Sequence, residues 1–294
     1  MPTVGILVMG SPPPEAFLSL LFGGLRTLGY VENQNIKFDI QSAEGRPERL
    51  AALASELVAR NVDLIVAYQT PPAIAAKKAT RDVPIVFSAV GDPLATDLIA
   101  SFARPGGNAT GTTAGVIEVS GKTVELIREL LPLARNFAVL ANETDPFTPS
   151  YLDALGHGAK NVGLEMRPVM VRPASRLDGA FESMAAGQAD AVVVQGSLVS
   201  NEAAELAKRH RLPSFASPAQ FPRLGGLISY AVNFKAMLQD TAGYIDKILK
   251  GAKPADLPVS FPTHFELTVN LRTANAIGLE IPKLLLARAD EVIE

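Results

Sequence analysis

Short runs of apolar residues alternate with longer segments of helical periodicity along the chain. In the first half, apolar runs begin near residues 4, 36, 64 and 85, and amphipathic segments separate them. Apolar runs without a two-residue period are typical of strands buried on both faces, as in parallel sheets covered by helices. This half of the sequence therefore predicts an array of alternating strands and helices.

The second half repeats the same pattern. Its apolar runs begin near residues 137, 165, 191 and 213, at spacings close to those of the first half. Two arrays of matching period indicate two similar lobes. The predicted fold class is therefore α/β, with two similar three-layer lobes that each contain a parallel sheet.

The segments after the second array predict how the lobes are connected. A long amphipathic segment runs from Phe234 to Leu249, and the strand-like run HFELTVN follows it. If this helix returns to the first lobe and the strand to the second, several chain crossovers form a hinge. The linkers NATGTTAGVIE, SYAVNF and KPADLPVSFP carry Gly, Pro and small polar residues suited to such a hinge. The predicted boundaries are 1–113 plus 234–257 for lobe 1 and 114–233 plus 258–294 for lobe 2.

Composition and charge exclude several classes of partner. The chain has 294 residues, 48% of them hydrophobic, and a net charge of −3 that argues against nucleic acid as a partner. Without cysteine there is no thiol chemistry, iron–sulfur cluster or disulfide. The three histidines, His157, His210 and His264, lack the spacing of metal ligands. We expect no metal and no cofactor.

The apolar runs also bear on localisation. None reaches 18 residues, so we expect no direct membrane insertion. The first strand begins by Val4, which leaves no room for a signal peptide in this sequence. Either the protein is cytosolic or a signal peptide has been removed, and the residues alone leave both possibilities open.

Polar and small residues gather where the predicted strands end. Ligands of open parallel sheets bind beyond the carboxyl ends of the strands, where helix N-termini present free N–H groups. The predicted ligand-binding residues are Ser11, Gln69, Thr70, Pro71, Ser88, Gly91, Asp92, Asn142, Glu143, Gln195, Gly196, Ser217 and Tyr230.

Each of these residues also has a purely structural interpretation. Ser11, Thr70 and Asp92 precede helical segments and are suited to be N-caps. Aromatic residues at strand ends, such as Tyr68 and Tyr230, more often belong to the core than to a ligand site.

The same strand ends lack a recognisable catalytic set. There is no GxSxG nucleophile motif, no GxGxxG after the first strand, and no histidine at a predicted strand end. Glu143 and Asp145 are neighbouring turn residues rather than a positioned acid–base pair. The sequence therefore predicts a protein that holds a small molecule without altering it, not an enzyme.

Several longer motifs resemble those of a known family. They are GLRTLGYVENQNI, LASELVARNVDLIVA, PIVFSAVGDPLATDLIASFARPGGNATG and the ending VNLRTANAIGLEIPKLLLARADEVIE. Together they resemble the substrate-binding proteins of ABC transporters, in the branch of tryptophan- and tyrosine-type solute-binding proteins. The resemblance covers nearly the whole chain.

This resemblance implies a type I periplasmic binding fold, with three crossovers and a ligand cleft between the lobes. It also implies a periplasmic protein that passes its ligand to a membrane permease, so a signal peptide would be absent from this sequence only. The turns at Thr70-Pro71, Ser88–Asp92, Asn142 and Gln195-Gly196 occupy the positions of the family's cleft residues.

The chain departs from the family pattern in two places. MGSPPP follows the first strand where the family has a more polar loop, and Ser197 stands where an acid is common. A cleft rich in Ser and Thr and poor in acids fits a carboxylated aromatic ligand without an amine at least as well as an amino acid. The alternative function is the effector-binding domain of a lac-repressor-type regulator that lacks its DNA-binding segment, and an enzyme of similar architecture comes third.

Overall fold

The structure, a computed structural model, describes residues 1–10, 14–172 and 177–294. The chain forms two compact units, and it passes from one to the other three times. Unit 1 comprises Met1–Gly115 and Phe234–Pro262, and unit 2 comprises Val116–Asn233 and Thr263–Glu294.

The last passage lies five residues later than the sequence predicts, at 262/263 instead of 257/258. The reason is that Ser260 pairs with the last strand of unit 1. Its N–H donates to the carbonyl of Gly111 at 2.9 Å, and its own carbonyl accepts from the N–H of Thr113 at 3.0 Å.

Unit 1 contains five strands and four longer helices among its described residues. The strands are β1 (Thr3–Val8), β2 (Lys37–Ser42), β3 (Leu64–Tyr68), β4 (Ile85–Val90) and β5 (Ala109–Thr113). The helices are α1 (Glu15–Thr27), α2 (Leu50–Ala59), α3 (Thr70–Ala79) and, from the later segment, α8 (Phe234–Leu249). All strand pairs are parallel, in the order β2-β1-β3-β4-β5.

Helices cover both faces of this sheet. Leu7, Ile65 and Phe87 point to one face and form a buried cluster with residues of α2 and α3. Helix α1 packs against α8, which also contacts β4 and β5. Burial on both faces explains why the strands of this unit read as continuous apolar runs.

Unit 2 contains seven described strands. They are β6 (Asn136–Asn142), β7 (Glu165–Val171), β8 (Val192–Val194), β9 (Ser214–Ala216), β10 (Ile228–Val232), β11 (Phe265–Asn270) and β12 (Glu291–Ile293). Its helices are α4 (Val116–Leu130), α5 (Thr148–Asn161), α6 (Asp178–Ala186), α7 (Asn201–Arg209), α9 (Leu271–Ile277) and α10 (Lys283–Ala287). The strand order is β12-β11-β10-β9-β8-β6-β7, and only β10 and β11 pair antiparallel.

The two α/β sheets confirm the predicted fold class, with one difference. The second sheet is mixed, because β11 runs against β10. The eight predicted array strands begin within one residue of the observed strands, and the helix from Phe234 to Leu249 has the predicted bounds.

Strand β5 and the start of α4 were wrongly predicted as a linker. The sequence of β5, ATGTT, has no large apolar residue, yet all five of its residues are buried. Burial is possible because its hydroxyls find partners inside unit 1: Thr110 Oγ1 donates to the carbonyl of Leu257 at 2.8 Å, and Thr112 Oγ1 lies 3.3 Å from Thr241 Oγ1. The segment SYAVNF was likewise predicted as a linker and contains most of β10.

A bulge distorts β4 where it pairs with β5. Phe87 lies opposite Gly111 and Val90 opposite Thr113, so β4 has one more residue than β5 between these pairs. Gly111 has a φ of +150°, and a Cβ built there would lie 1.9 Å from the carbonyl oxygen of Phe87. The bulge therefore depends on a glycine at position 111.

We expect Gly111→Ala to unfold unit 1 or to destabilise it by more than about 4 kcal/mol, since the clash is with backbone. The matched control is Gly23→Ala in α1, where a Cβ meets nothing within 4 Å. That change should stabilise the protein by up to about 1 kcal/mol through helix propensity. Urea unfolding monitored by circular dichroism checks both, and equal midpoints for the two variants would contradict the prediction.

Candidate functional site

The carboxyl ends of β3 and β4 bring most of the predicted residues of unit 1 together. Tyr68 pairs with Ser88, so Gln69 and Thr70 follow one strand at the level where the β4 bulge begins on the next. Gly91 and Asp92 continue from that bulge. Ser11 lies outside the described residues, and its role stays a prediction.

The backbone at this edge of the sheet is strained. Gln69, the residue before α3, has a φ of 75° and a ψ of 170°, a conformation that is essentially restricted to glycine. Ala89 in the β4 bulge has a φ of 56°. Each such residue costs about 1–3 kcal/mol, and strain of this kind is concentrated at functional sites. The two outliers lie on neighbouring strand ends and point to this edge as a site.

The N-terminus of α3 offers fewer N–H groups than expected. Pro71 and Pro72 have no backbone N–H, and the N–H of Ala73 already donates to the carbonyl of Gln69 at 3.3 Å. The N–H of Thr70 is thus the remaining donor of the first turn. The buried Thr70 hydroxyl accepts a hydrogen bond from the N–H of Gly91 at 3.2 Å, which ties the two loops together.

The side chain of Ser88 is committed to the interior. It is fully buried, and its Oγ lies 3.0 Å from Oγ1 of Thr241 on α8. Thr241 in turn donates to the carbonyl of Met237 at 3.0 Å. The hydroxyl of Ser88 therefore joins β4 to α8, while the backbone of the bulge remains at the sheet edge.

Asp92 organises its own turn. Its Oδ1 accepts hydrogen bonds from the N–H groups of Leu94 and Ala95, at 3.1 and 2.9 Å. Asp92 therefore caps a turn rather than a helix, as an Asx motif. Its second carboxylate oxygen is left for a ligand.

Three aromatic residues pack beside this edge within unit 1. The rings of Phe17 and Tyr68 stack with centroids 4.2 Å apart, and Phe234 lies tilted at 6.1 Å from Tyr68. Burial raises the pKa of Tyr68 to about 12, so the hydroxyl stays protonated at neutral pH. Tyr68 ends β3 directly before Gln69, which places an aromatic surface next to the strained turn.

The register of unit 2 brings its predicted residues to one edge of the second sheet. Leu140 pairs with Val194, and Val194 with Ala216. Ser229 also pairs with Ala216. The residues that follow these pairs, at the carboxyl ends of β6, β8 and β9 and along β10, are Asn142, Glu143, Gln195, Gly196, Ser217 and Tyr230.

Gln195 is the centre of a buried hydrogen-bond network. Its Oε1 accepts from the backbone N–H of Asn142 at 2.7 Å, and its Nε2 donates to Oγ1 of Thr148 at 3.0 Å and to Oδ2 of Asp145 at 3.2 Å. The single proton of the Thr148 hydroxyl goes to the carbonyl of Asn142 at 2.6 Å, which leaves this oxygen to accept from Gln195. Gln195 is 2% exposed. It positions its neighbours and has no polar atom left for direct contact with a ligand.

The side chain of Asn142 also bonds within unit 2. Its Oδ1 accepts from the N–H of Thr144 at 2.9 Å, and its Nδ2 donates to Oγ of Ser197 at 3.2 Å. Asn142 is buried, whereas Ser197 is exposed.

Asp145 is the functional group that the sequence interpretation dismissed. Its Oδ1 accepts from the N–H of Phe147 at 3.0 Å, close to the start of α5. Burial raises the pKa of Asp145 above its ordinary value, against the opposing effect of the hydrogen bonds from Phe147 and Ser197. The signal was present in the sequence as Asn142 and Asp145 three residues apart after a strand, but it did not reveal the burial.

The remaining predicted residues of unit 2 are accessible. Glu143 is exposed and pairs with Arg172 at 3.3 Å, Gly196 is exposed, and Ser217 is half-buried. Tyr230 stacks on Phe265 with centroids 5.5 Å apart, and burial is the main cause that raises its pKa.

The described residues contain no group of three or more His, Cys, Asp or Glu side chains that could hold a metal ion. They also contain no helix that is both long and apolar enough to cross a membrane.

Comparison with protein families gives a match over almost the whole chain. The model described as ABC transporter substrate binding protein matches residues 11–293. Proteins of this family bind solutes rather than catalyse reactions, and they act outside the cytoplasm.

Individual proteins agree with this match. A tyrosine-binding protein of Clostridioides difficile is 29% identical over 260 residues, which are 87% of this chain and 74% of that protein. A solved structure of an ABC domain from Streptococcus pneumonia in complex with L-Trp is 26% identical, with a TM-score of 0.90 and 99% of each chain covered. A conserved domain protein of Vibrio cholerae is 27% identical, with a TM-score of 0.92 and 99% of each chain covered. More distant solved solute-binding proteins share the fold, which is that of type I periplasmic binding proteins.

We expect Gln195→Met to destabilise the protein by about 2–4 kcal/mol, because it leaves the N–H of Asn142 and its neighbours buried without partners. The same substitution at the exposed Gln220 serves as the control and should change stability by less than about 0.5 kcal/mol. Chemical denaturation measures both. A Gln195→Met protein as stable as the control would show that the network contributes nothing.

Proposed function

We propose that this chain, which belongs to the family of ABC transporter substrate-binding proteins, is the solute-binding component of an importer. In this proposal it binds a small carboxylated ligand, aromatic or an amino acid, and releases it unaltered. Its place is the periplasm, and its partner is the membrane permease of the importer. The match to the substrate-binding family favours this function over the effector domain of a transcription regulator.

The observation that carries the proposal is the strained edge of unit 1. Gln69 and Ala89 hold unfavourable backbone conformations beside the free N–H of Thr70. A backbone N–H at a helix N-terminus is suited to a carboxylate. The rings of Phe17 and Tyr68 offer an aromatic surface nearby. A carboxylate and a ring on one small molecule match these two features.

The names of two relatives support an aromatic ligand. One is described as a tyrosine-binding protein and another was solved with L-Trp. In the proposed order of binding, the ligand first meets the loops of unit 1 at Thr70 and the Ser88–Asp92 turn. Unit 2 then adds the edge that carries Asn142 and Ser217, with hinge motion at the three chain crossings.

The energetics of this proposal require no covalent step. A charge-assisted hydrogen bond contributes about 1.5–3 kcal/mol where water is excluded. Micromolar affinity corresponds to about −8 kcal/mol. A few such bonds together with one buried ring are sufficient, after the loss of ligand freedom has been offset.

We expect L-tyrosine or L-tryptophan to raise the unfolding temperature by several degrees, since 100-fold excess over Kd adds about 2.7 kcal/mol to stability. The matched controls are p-cresol and indole, which carry the rings without the carboxylate and should stabilise far less. Differential scanning fluorimetry measures the shift. Equal stabilisation by ring and amino acid, or recovery of a chemically altered ligand by mass spectrometry, would contradict the proposal.

We expect the double variant Thr70→Ala/Asp92→Ala to weaken ligand affinity tenfold or more, because the two loops that it loosens form the edge of unit 1. Thr80→Ala is the matched control. The Thr80 hydroxyl accepts from the N–H groups of Asp82 and Val83, both at 3.1 Å, at the other end of α3. Titration calorimetry should show unchanged affinity for this control. Unchanged affinity in the double variant would remove both residues from the site.

A further inference from the structure

The carboxylate of Asp145 has no cationic partner among the residues that the structure describes. Its hydrogen bonds come from the N–H of Phe147 at 3.0 Å, from Nε2 of Gln195 at 3.2 Å and from the Ser197 hydroxyl. All three donors are neutral. An ionised carboxylate has about four acceptor positions, so this group retains capacity for another donor.

The charge at this position is costly. Asp145 is half-buried, and burial raises its pKa above the ordinary value in spite of the three hydrogen bonds. An asparagine would accept the same N–H of Phe147 and avoid the cost of desolvating a charge. The N-terminus of α5 favours a negative charge by only about 0.3–1 kcal/mol. The capping role alone therefore explains an asparagine here as well as it explains an aspartate.

The surroundings hold the carboxylate in one orientation. Asn142 donates to Ser197, and Ser197 donates to Asp145. On the other side the buried Gln195 is itself fixed by the N–H of Asn142 at 2.7 Å. The acid thus lies in a rigid frame of neutral donors at the carboxyl edge of the second sheet, which is the arrangement expected of a preorganised binding group.

We propose that Asp145 receives the ammonium group of the ligand, which makes the ligand an α-amino acid rather than a simple aromatic carboxylate. This inference rests on the proposed function and names its substrate class. An ammonium supplies the positive charge and the further donor that the site lacks. It also reverses the expectation from sequence, where the scarcity of acids favoured a ligand without an amine at least equally.

The test compares ligands that differ only in the amino group. The pairs are L-tyrosine with 3-(4-hydroxyphenyl)propionate, L-tryptophan with indole-3-propionate, and L-leucine with 4-methylpentanoate. Titration calorimetry on the unaltered protein should show at least tenfold tighter binding of the amino acid in any pair that binds. In Asp145→Asn the amino-acid affinity should fall at least tenfold, and the affinity for the analogue without the amine should stay within threefold.

The matched control is Asp153→Asn, which removes the same charge from an exposed position on α5 and should leave the discrimination intact. Urea midpoints show that each variant is folded. If Asp145→Asn does not fold, the comparison of ligand pairs on the unaltered protein still decides. Equal or tighter binding of the analogue without the amine overturns this inference and leaves the proposed function standing. A protein that binds none of the six compounds overturns both.

Discussion

Polar groups at the ends of buried parallel strands must satisfy one another before they can serve a ligand. In unit 2 this requirement takes up the whole amide of Gln195, which bonds to Asn142, Thr148 and Asp145. In unit 1 it takes up the hydroxyl of Ser88, which bonds to Thr241. A buried donor or acceptor without a partner costs about 1–3 kcal/mol, so these internal bonds come first. What remains for recognition is a small remainder of backbone and charge.

That remainder differs between the two units. Unit 1 keeps a strained backbone at Gln69 and Ala89 and one free N–H at the start of α3. Its bulge exists because Gly111 allows β5 to approach the carbonyl of Phe87. Unit 2 keeps a carboxylate held by neutral donors around Asp145. One edge is therefore suited to an anion and the other to a cation, which is the charge pattern of a zwitterion.

Hydrophobic periodicity was sufficient to predict the strands that carry large apolar residues. It failed at β5, because ATGTT is buried through hydroxyl bonds to Leu257 and Thr241 that lie far away in the chain. It also could not say which polar residue at a strand end points inward. Ser88 and Gln195 were predicted as ligand contacts, and the packing partners that engage them are 153 and 53 residues distant in sequence, on α8 and β6. The distinction depends on tertiary contacts that no local pattern records.

Asp92 and Asp145 illustrate the same limit for charge. Both follow a strand, both precede a proline and both accept a backbone N–H two residues later, so a sequence pattern treats them alike. The two bonds to Asp92 come from its own turn, whereas Asp145 also receives a side chain from another strand end. A carboxylate enclosed in this way loses solvation, and its pKa rises as a consequence. Since turn geometry alone does not require the charge, the cost of keeping it at Asp145 is best explained by a positively charged group that arrives with the ligand.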